Sequence, residues 1–400
     1  MTTARTATPS TARAINDRLA LNLLLEQGPL TATELRDLTG LSRPTVADLL
    51  DRLQRTGLVA VVGERGERRR GPNARVYALV ASRAHIAAFD VRSGGVSLVV
   101  ADLAGRALAT AEVPVDGGGA PDTAAADTAA RIVEVLRETA RGAGVERLHT
   151  VAVGAPGLVD PATGRLVSTG DLPAWHGELF AALRELPHAE VILENEVNLA
   201  GRAEYRLGAA RDRDTFVLMW LGHSVGAAVV IDGRLRRGFS GGTGEICFLP
   251  VPGTTALPSA DSCEGGFHGL VGSAALCALA RTHGLPADPA DDAPAAEGAV
   301  RAALESLDGP GGAFLDELAG RIAIGAASVC VVLDPGCVVL GGEIGRAGGA
   351  ELAGRVEARL SGLSPLRTEV RAGTAGGGAV LAGAVLTAGD AVRRDLFGEP

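Results

Sequence analysis

Residues 31–58 read TATELRDLTGLSRPTVADLLDRLQRTGL, and this stretch predicts two short helices joined by a tight turn. Thr31 followed by Glu34 is the pattern of a capping box at the start of the first helix. Gly40 ends that helix, and Ser42 with Pro44 behind it begins the second. Four apolar residues then fall on one face of the second helix: Val46, Leu49, Leu50 and Leu53. A three-residue turn between two such helices is the spacing of a pair that reads DNA.

The flanking segments complete a winged helix-turn-helix. Before the pair, three apolar residues recur every four positions in a predicted helix that ends at Gly28-Pro29: Ile15, Leu19 and Leu23. After it, apolar runs at 58–62 and 76–80 predict two strands, and the loop between them is basic: Arg65, Arg68, Arg69 and Arg70. A small helical domain with a solvated basic loop is the alternative. Spacing, caps and wing agree independently, which favours DNA binding.

The candidate DNA contacts lie on the second helix and in the wing. Arg43 and Thr45 are the candidates for base edges in the major groove, and Ser42 and the wing arginines for phosphates or the minor groove. The full set is Ser42, Arg43, Pro44, Thr45, Asp48, Arg68, Arg69 and Arg70.

Charge is unevenly distributed along the 400 residues, whose net charge is −9. Residues 1–80 carry 12 arginines against 8 acidic residues, whereas the remainder carries 26 against 39. A basic head on an acidic body is expected when only the head meets phosphate. The chain has no lysine, so the position of the arginines carries this inference and their identity does not.

Cysteine usage and hydropathy indicate a cytoplasmic protein. The five cysteines form no C-x-x-C pair and lie mostly among apolar neighbours, as reduced core thiols do. We find no signal-peptide pattern, and no apolar run reaches the roughly 18 residues of a membrane helix.

From about His85 the pattern changes to short β-branched runs between helices. The predicted strands are 86–91, 96–101, 108–115, 151–153, 191–193, 216–221, 227–231 and 337–340. Helices are predicted at 130–141 and 314–333, a hairpin turn at Asp232-Gly233, a loop at 116–130 and a surface excursion at 286–299. Three strands and then alternating helices and strands occur twice, which predicts two α/β lobes with a cleft.

Four motifs in the body, in this order, resemble the ROK family of bacterial repressors and sugar kinases. They are VGAPGLVD at 153–160, ENEVN at 194–198 with Glu204, GEI at 244–246, and DP at 334–335 leading to VLGG at 339–342. The resemblance implies an actin-like ATPase fold. The predicted fold class is thus α/β, with a winged helix-turn-helix at 1–82 and a two-lobed ROK body at 83–400 that binds an effector and oligomerises.

The phosphate loops depart from those of the family's kinases. The kinase pattern Asp-x-Gly-Gly-Thr is replaced by Asp90-Val91-Arg92-Ser93-Gly94, so side chains stand where glycines let backbone N–H groups approach ATP. The pattern G-x-G-x-G-x-G is reduced to GHSVGAA at 222–228. Glu196 stands where the family usually has its catalytic aspartate. Its side chain is one methylene longer, and a displacement of the carboxylate by about an ångström can cost about a hundredfold in rate. We expect no enzyme activity, no catalytic residue and no cofactor.

The family's zinc motif is also altered. The resemblance implies Gly-Glu-Ile-Gly-His followed by Cys-x-Cys, but Phe248 stands at the histidine position and 261–269 contains only Cys263. An irregular site is the alternative, but core or loop roles are favoured, and we expect no metal. The irregular zinc site would consist of Cys247, Cys263, His268 and His223.

By resemblance, four polar residues line the sugar side of the cleft: Asp171, Asn195, Glu196 and Glu245. Carboxylates and amides suit polyols, because each bridges neighbouring hydroxyls. In the alternative interpretation, Asn195 and Asn198 are caps at a helix start and Glu245 braces a loop.

The sequence therefore predicts a sugar-responsive transcriptional regulator, specifically a repressor. Its partners would be double-stranded operator DNA, a sugar effector and a second copy of itself, in a homodimer or higher oligomer, with no membrane contact. One alternative is an ATP-dependent sugar kinase with atypical phosphate loops and Glu196 as base. Another is a DNA-binding protein whose body only dimerises.

Overall fold

The computed structural model describes residues 9–65, 73–115, 122–167 and 172–398. It shows the predicted α/β class, with a helical head followed by two lobes that are each built on a five-stranded sheet. Within these ranges, no helix is both long enough and apolar enough to cross a membrane.

The head is a winged helix-turn-helix, as predicted. Thr31 N–H donates to the Glu34 carboxylate at 2.7 Å, Glu34 N–H donates to the Thr31 hydroxyl at 3.2 Å, and Gly40 adopts a left-handed φ of +70°. Strand β3 pairs antiparallel with both β1 and β2. The wing residues 66–72, with Arg68, Arg69 and Arg70, lie outside the described residues. The elements are α1 (Pro9–Gln27), β1 (Leu30–Thr31), α2 (Ala32–Thr39), α3 (Arg43–Arg55), β2 (Val59–Arg65) and β3 (Ala74–Leu79).

The buried face of α1 differs from the four-residue repeat in the sequence. Ile15 is 57% exposed and Leu19 40%, and the core takes the neighbouring residues Ala20, Leu21 and Leu24. The run LALNLLLEQ offers several apolar faces, and packing against α2, α3 and β3 selects one of them. In α2, Leu35 is buried in this core, whereas Leu38 is 47% exposed.

Lobe 1 contains a sheet of strand order β10-β7-β4-β5-β6, in which β4, β5 and β6 are antiparallel and β7 and β10 are parallel to β4. The predicted loop at 116–130 is wrong from Asp122 onward, because the alanines there form a helix and bury Ala125 and Ala129. The elements are β4 (His85–Arg92), β5 (Gly95–Asp102), β6 (Ala107–Pro114), α4 (Asp122–Gly142), β7 (Thr150–Ala155), β8 (Leu158–Val159), β9 (Leu166–Val167), α5 (Ala174–Arg184), β10 (Glu190–Asn195) and α6 (Glu196–Arg206).

Lobe 2 contains a sheet of strand order β13-β12-β11-β14-β15, with the predicted hairpin turn at Asp232-Gly233. The predicted surface excursion at 286–299 is wrong in its second half, because α9 begins at Ala293 and buries Ala296 and Ala299. The elements are β11 (Phe216–Leu221), β12 (Val225–Ile231), β13 (Arg234–Arg236), α7 (His268–Val271), α8 (Ser273–Thr282), α9 (Ala293–Leu304), α10 (Pro310–Leu333), β14 (Cys337–Gly341), α11 (Gly342–Leu360), β15 (Glu369–Ala372) and α12 (Ala379–Phe397).

Three apolar cores organise the described part of the chain. One lies between the lobe 1 sheet and α4 and α5, and another between the lobe 2 sheet and α8 to α11. The third lies between the two sheets, around α6 and α12, and continues into the head. It includes Leu21 and Leu49 of the head together with Val380 and Phe397 at the two ends of α12. Helix α12 therefore connects the centre of the body to the head.

Candidate functional site

A cleft of about 1030 Å³ is lined by residues of both lobes. Its walls are the β4–β5 hairpin, the end of β6, the β11–β12 hairpin and the first turns of α5, α6, α9, α11 and α12. Its charged lining residues include Asp90, Arg92, Glu196, Asp292, Glu297, Glu343 and Arg346. The volume is that of a small-molecule site.

Arg92 occupies the first altered phosphate loop. Its guanidinium donates to Asp90 at 3.1 Å and to Glu343 at 2.8 Å. Glu343 follows Gly341-Gly342 in the first turn of α11, and a Cβ added to Gly222 would lie 2.5 Å from its Oε2 atom. The Glu343 carboxylate is therefore packed between both loops that the resemblance assigns to phosphates. The Arg92–Glu343 ion pair thus lies at these two loops.

Glu196 is the predicted sugar ligand that the structure places on the cleft wall. It is the first residue of α6 and is half-buried. Burial raises its pKa to about 7, with the carboxylates of Asp90, Glu343 and Glu245 adding to the rise and Arg92 opposing it. Burial also raises the pKa of Asp90, against the effect of Arg92. The described walls of the cleft thus carry more carboxylates than arginines that could neutralise them.

Asn195 has the capping role that was the alternative for it. Its Oδ1 accepts from the backbone N–H groups of Val197 at 2.9 Å and Asn198 at 3.2 Å, and its Nδ2 donates to the Gly157 carbonyl at 3.0 Å. One amide hydrogen remains for a ligand. Asn198, in contrast, is not a cap: it lies inside α6 and donates to Glu194 at 3.0 Å.

The other two predicted sugar ligands, Glu245 and Asp171, are not among the described residues that line the cleft. Glu245 is half-buried just before the short 3₁₀ helix Ile246–Phe248, where burial raises its pKa and Cys247 donates to it at 3.6 Å. Asp171 lies outside the described residues. The group of four is therefore represented on the cleft wall by Glu196.

Sequence reasoning missed several residues of the cleft. His176 of α5 lines it and is 1% exposed, and burial lowers its pKa to about 4, so the ring is neutral at pH 7. Its nitrogens make no hydrogen bond of normal geometry within the described residues, although the ring lies beside the Arg92 backbone. Arg346 donates to Glu297 at 2.8 Å. His176 and Arg346 belong to no motif. Glu343 could have been found, because it directly follows the motif that ends in Gly341-Gly342.

The head presents part of the predicted DNA surface. Ser42, Arg43 and Pro44 are exposed at the start of α3, and Thr45 is half-buried with its hydroxyl 2.8 Å from that of Ser42. Arg43 forms no ion pair within the described residues, so its guanidinium is available to DNA.

Asp48 has a structural partner. It binds Arg52, which also donates to Asp17 of α1 at 2.5 Å. The Asp48 and Arg52 side chains thus help to fix α3 against α1, and this engagement competes with contact between Asp48 and bases.

The cysteines behave as core thiols where the structure describes them. All five are free; Cys263 is half-buried and the other four are buried. Burial raises the pKa of Cys247 and Cys263, which lie near each other. In the described ranges, no group of three His, Cys, Asp or Glu side chains is arranged to hold a metal ion.

Comparison with known proteins finds similarity in both parts of the chain. The profile of the ROK family matches residues 89–390, and that of the MarR family matches residues 15–70. The chain is 22% identical over 241 residues to the xylose repressor of Bacillus subtilis (strain 168), covering 60% of this chain and 61% of that protein. It is 22% identical over 263 residues to the DNA-binding transcriptional dual regulator NagC of Escherichia coli (strain K12), covering 65% and 62%. The similarity thus spans about three fifths of the length of these curated relatives.

Solved structures share the fold. A ROK family transcriptional regulator described as a homolog of the E. coli Mlc protein superposes with a TM-score of 0.73 at 20% identity, covering 96% of this chain and 98% of that one. A ROK family glucokinase from Streptomyces griseus, in complex with glucose and AMPPNP, superposes with a TM-score of 0.60 at 21% identity, covering 76% and 99%. The first covers nearly all of both chains, whereas the second leaves about a quarter of this chain uncovered.

Proposed function

This chain belongs to the ROK family, and from that premise we propose that it is a transcriptional repressor whose affinity for operator DNA is set by a sugar or sugar derivative in the cleft. The observation that carries the proposal is the winged helix-turn-helix, whose apolar core is continuous with that of a ROK body. The relatives named as a xylose repressor and a transcriptional regulator support the same conclusion.

We place the boundary between head and body at residues 82 and 83, within the short 3₁₀ helix Ala81–Arg83. The head, 1–82, meets double-stranded DNA in the cytoplasm, and the body, 83–400, binds effector and forms a homodimer or higher oligomer. Two heads in a dimer match two half-sites of an operator.

Helix α12 supports coupling between cleft and DNA. Val380 near its start lines the cleft, and Phe397 at its end packs in the core shared with the head. Between them, Asp390 binds Arg202 of α6 and Arg393. A ligand that prefers one lobe angle shifts α12, and with it the head, by differential binding free energy, typically about 1–3 kcal/mol.

We assign no catalytic residue to this cleft, because Arg92 and Glu343 form an ion pair at the loops that the resemblance assigns to ATP phosphates. One observation favours the kinase alternative: Glu196 has a pKa of about 7, which suits a general base. Phosphoryl transfer from ATP to hexoses, abolished by Glu196→Gln, would establish a kinase. Equal, background rates for both proteins support the repressor.

The residue roles we propose are as follows. Arg43 and Thr45 read bases, Ser42 and the wing arginines hold phosphates or enter the minor groove, and Pro44 and Asp48 lie at the same surface. Glu196 contacts the effector from the cleft wall, and Asp171, Asn195 and Glu245 are proposed as further contacts on the resemblance alone. Asn195 makes this contact through its one free amide hydrogen, because its other groups cap α6.

Fluorescence anisotropy tests the proposal directly. Labelled DNA from the gene's own upstream region is titrated with the chain at ~0.15 M salt, where long-range screening is physiological, against unrelated competitor DNA. Binding that survives competitor and weakens with one sugar supports a repressor. Absence of binding even at low salt would remove the DNA function, and binding that no sugar changes would leave a regulator without this effector class.

A further inference from the structure

We infer that the effector of this cleft carries a positive charge, as an amino sugar does, and that its ammonium group is held by Asp90, Glu196 and Glu343. The inference rests on the proposed function and specifies its ligand.

The walls of the cleft carry more carboxylates than guanidinium groups. Among the described residues that line it, the acidic ones are Asp90, Glu112, Glu196, Asp292, Glu297 and Glu343, against two arginines, Arg92 and Arg346. Six negative charges against two positive ones leave a surplus of four at full ionisation. Such a cleft attracts a cation and repels a sugar phosphate or sugar acid.

The two arginines are already engaged. Arg92 binds both Asp90 and Glu343, and Arg346 binds Glu297. Glu196 has no arginine partner within the described residues, and its raised pKa reflects burial among other carboxylates. A bound cation next to Glu196 relieves that repulsion and favours the ionised carboxylate.

Asp90 supplies a second, independent observation. Its side chain is 93% buried, and its Oδ2 accepts from Arg92. Its Oδ1 is buried without a hydrogen-bond partner among the described residues. A buried acceptor without a partner is unfavourable. An ammonium group, which has three N–H donors, can serve Oδ1 and a second carboxylate at once.

The rest of the cleft suits a sugar more than a bare cation. No trio of ligands within the described ranges is arranged for a metal ion, and the volume is far larger than an ion needs. Three serines and a neutral histidine on the walls can bind hydroxyl groups: Ser93, Ser97, Ser224 and His176.

A cationic ligand also explains how binding changes the lobe angle. The Arg92–Glu343 ion pair joins β4 of lobe 1 to α11 of lobe 2. An ammonium group beside Glu343 competes with Arg92 for the same carboxylate. Binding therefore weakens a contact that holds the lobes together.

The test is isothermal titration calorimetry on the full chain at pH 7. Glucosamine, galactosamine and mannosamine are each compared with their N-acetyl derivative and their parent hexose. We expect one amine to bind at least about tenfold more tightly than both of its neutral counterparts, or ~1.4 kcal/mol. Added salt weakens this amine selectively. A neutral counterpart that binds equally well, or the absence of binding by all three amines, overturns the inference.

Variants locate the charge. Glu343→Gln is expected to lower the amine affinity about tenfold, whereas Glu138→Gln, an exposed carboxylate on α4, leaves it unchanged. Specific DNA binding by each sample shows that it is folded. Equal amine affinity in Glu343→Gln and the parent contradicts the site. If a neutral sugar alone binds and alters DNA affinity, the inference fails and the proposed function stands.

Discussion

Arg92 of lobe 1 donates a hydrogen bond to Glu343 of lobe 2 at 2.8 Å, so one ion pair spans the cleft. Arg92 belongs to the first loop that the ROK resemblance assigns to nucleotide phosphates, and Glu343, in the first turn of α11, packs against the second loop at Gly222. An ion pair within the chain therefore joins the two lobes across the cleft, in addition to the apolar core between their sheets.

We predict that this ion pair contributes about 0.5–1 kcal/mol in a double-mutant cycle of Arg92→Met and Glu343→Gln, because the Arg92 side chain is partly exposed. Urea denaturation measures the coupling, and small-angle scattering should show a larger radius of gyration for either variant. The exposed pair Arg281–Asp291 within lobe 2 is the control. Its removal should leave the radius unchanged, and an equal radius in the Arg92 variant would contradict the interlobe role.

Glu196→Gln should stabilise the fold increasingly as pH rises. Between 4.5, its ordinary pKa, and about 7, the folded chain binds this proton more tightly than the unfolded chain does. The free energy of unfolding of the parent protein therefore falls as pH rises through that interval. We expect the advantage of the variant to grow by about 1–2 kcal/mol between pH 5 and 8, discounted because Glu196 is only half-buried.

Urea denaturation of both proteins across this pH interval gives the difference. Glu138→Gln, on the exposed face of α4, should show no such trend. A constant advantage of Glu196→Gln at all pH values would mean that its pKa is close to 4.5 in the folded chain.

Arg43→Ala and Arg69→Ala should weaken DNA binding in different ways. Removing a base contact costs about 1–3 kcal/mol on the operator and relaxes sequence preference, whereas removing a phosphate contact weakens all DNA and lowers the salt slope by about one. Anisotropy with operator and random DNA at several salt concentrations separates the two. Arg147→Ala, an exposed arginine of lobe 1, is the charge-matched control. Equal loss on both DNAs for Arg43→Ala would remove it from the base-reading residues.

Phe397→Leu should uncouple effector from DNA. Phe397 is buried at the end of α12 in the core that α12 shares with the head, and a change of shape there costs about 1 kcal/mol of stability. We expect the effector-induced change in DNA affinity to fall while both ligands still bind. Phe314→Leu, in the separate lobe 2 core, should cost similar stability and keep the full effect. The reverse outcome would exclude α12 as the connection.

The local part of the fold could be predicted from the sequence because its signals are local. Thr31, Glu34, Gly40 and Ser42 each act on a backbone group within a few residues, and the structure has every one of these contacts. Strand Phe216–Leu221 was likewise evident as an apolar run. The predictions at 122–130 and 293–299 are wrong because Gly, Pro and Asp in and before these stretches indicate loops, whereas the alanines beside them favour helix and pack closely.

The site was less predictable because its members meet only after folding. Arg92 and Glu343 are 251 positions apart, so no spacing rule joins them. The role of an isolated Asn depends on the helix that follows it, and Asn195 caps α6 for this reason. Glu196 was recognised through its motif, whereas His176 belongs to none and is identified by burial.

The shared core of head and lobes has a consequence for how this protein can be divided. One apolar cluster contains Leu21 and Leu49 of the head and Val392 and Phe397 of α12. Cleavage at residue 82 would therefore expose an apolar surface on each fragment. The head is therefore not an independent domain that could be fused to another body without redesign of the interface between them. In a calorimeter, head and body should therefore unfold in one transition, and a head moved to another body would need the apolar surface it packs against to be moved with it.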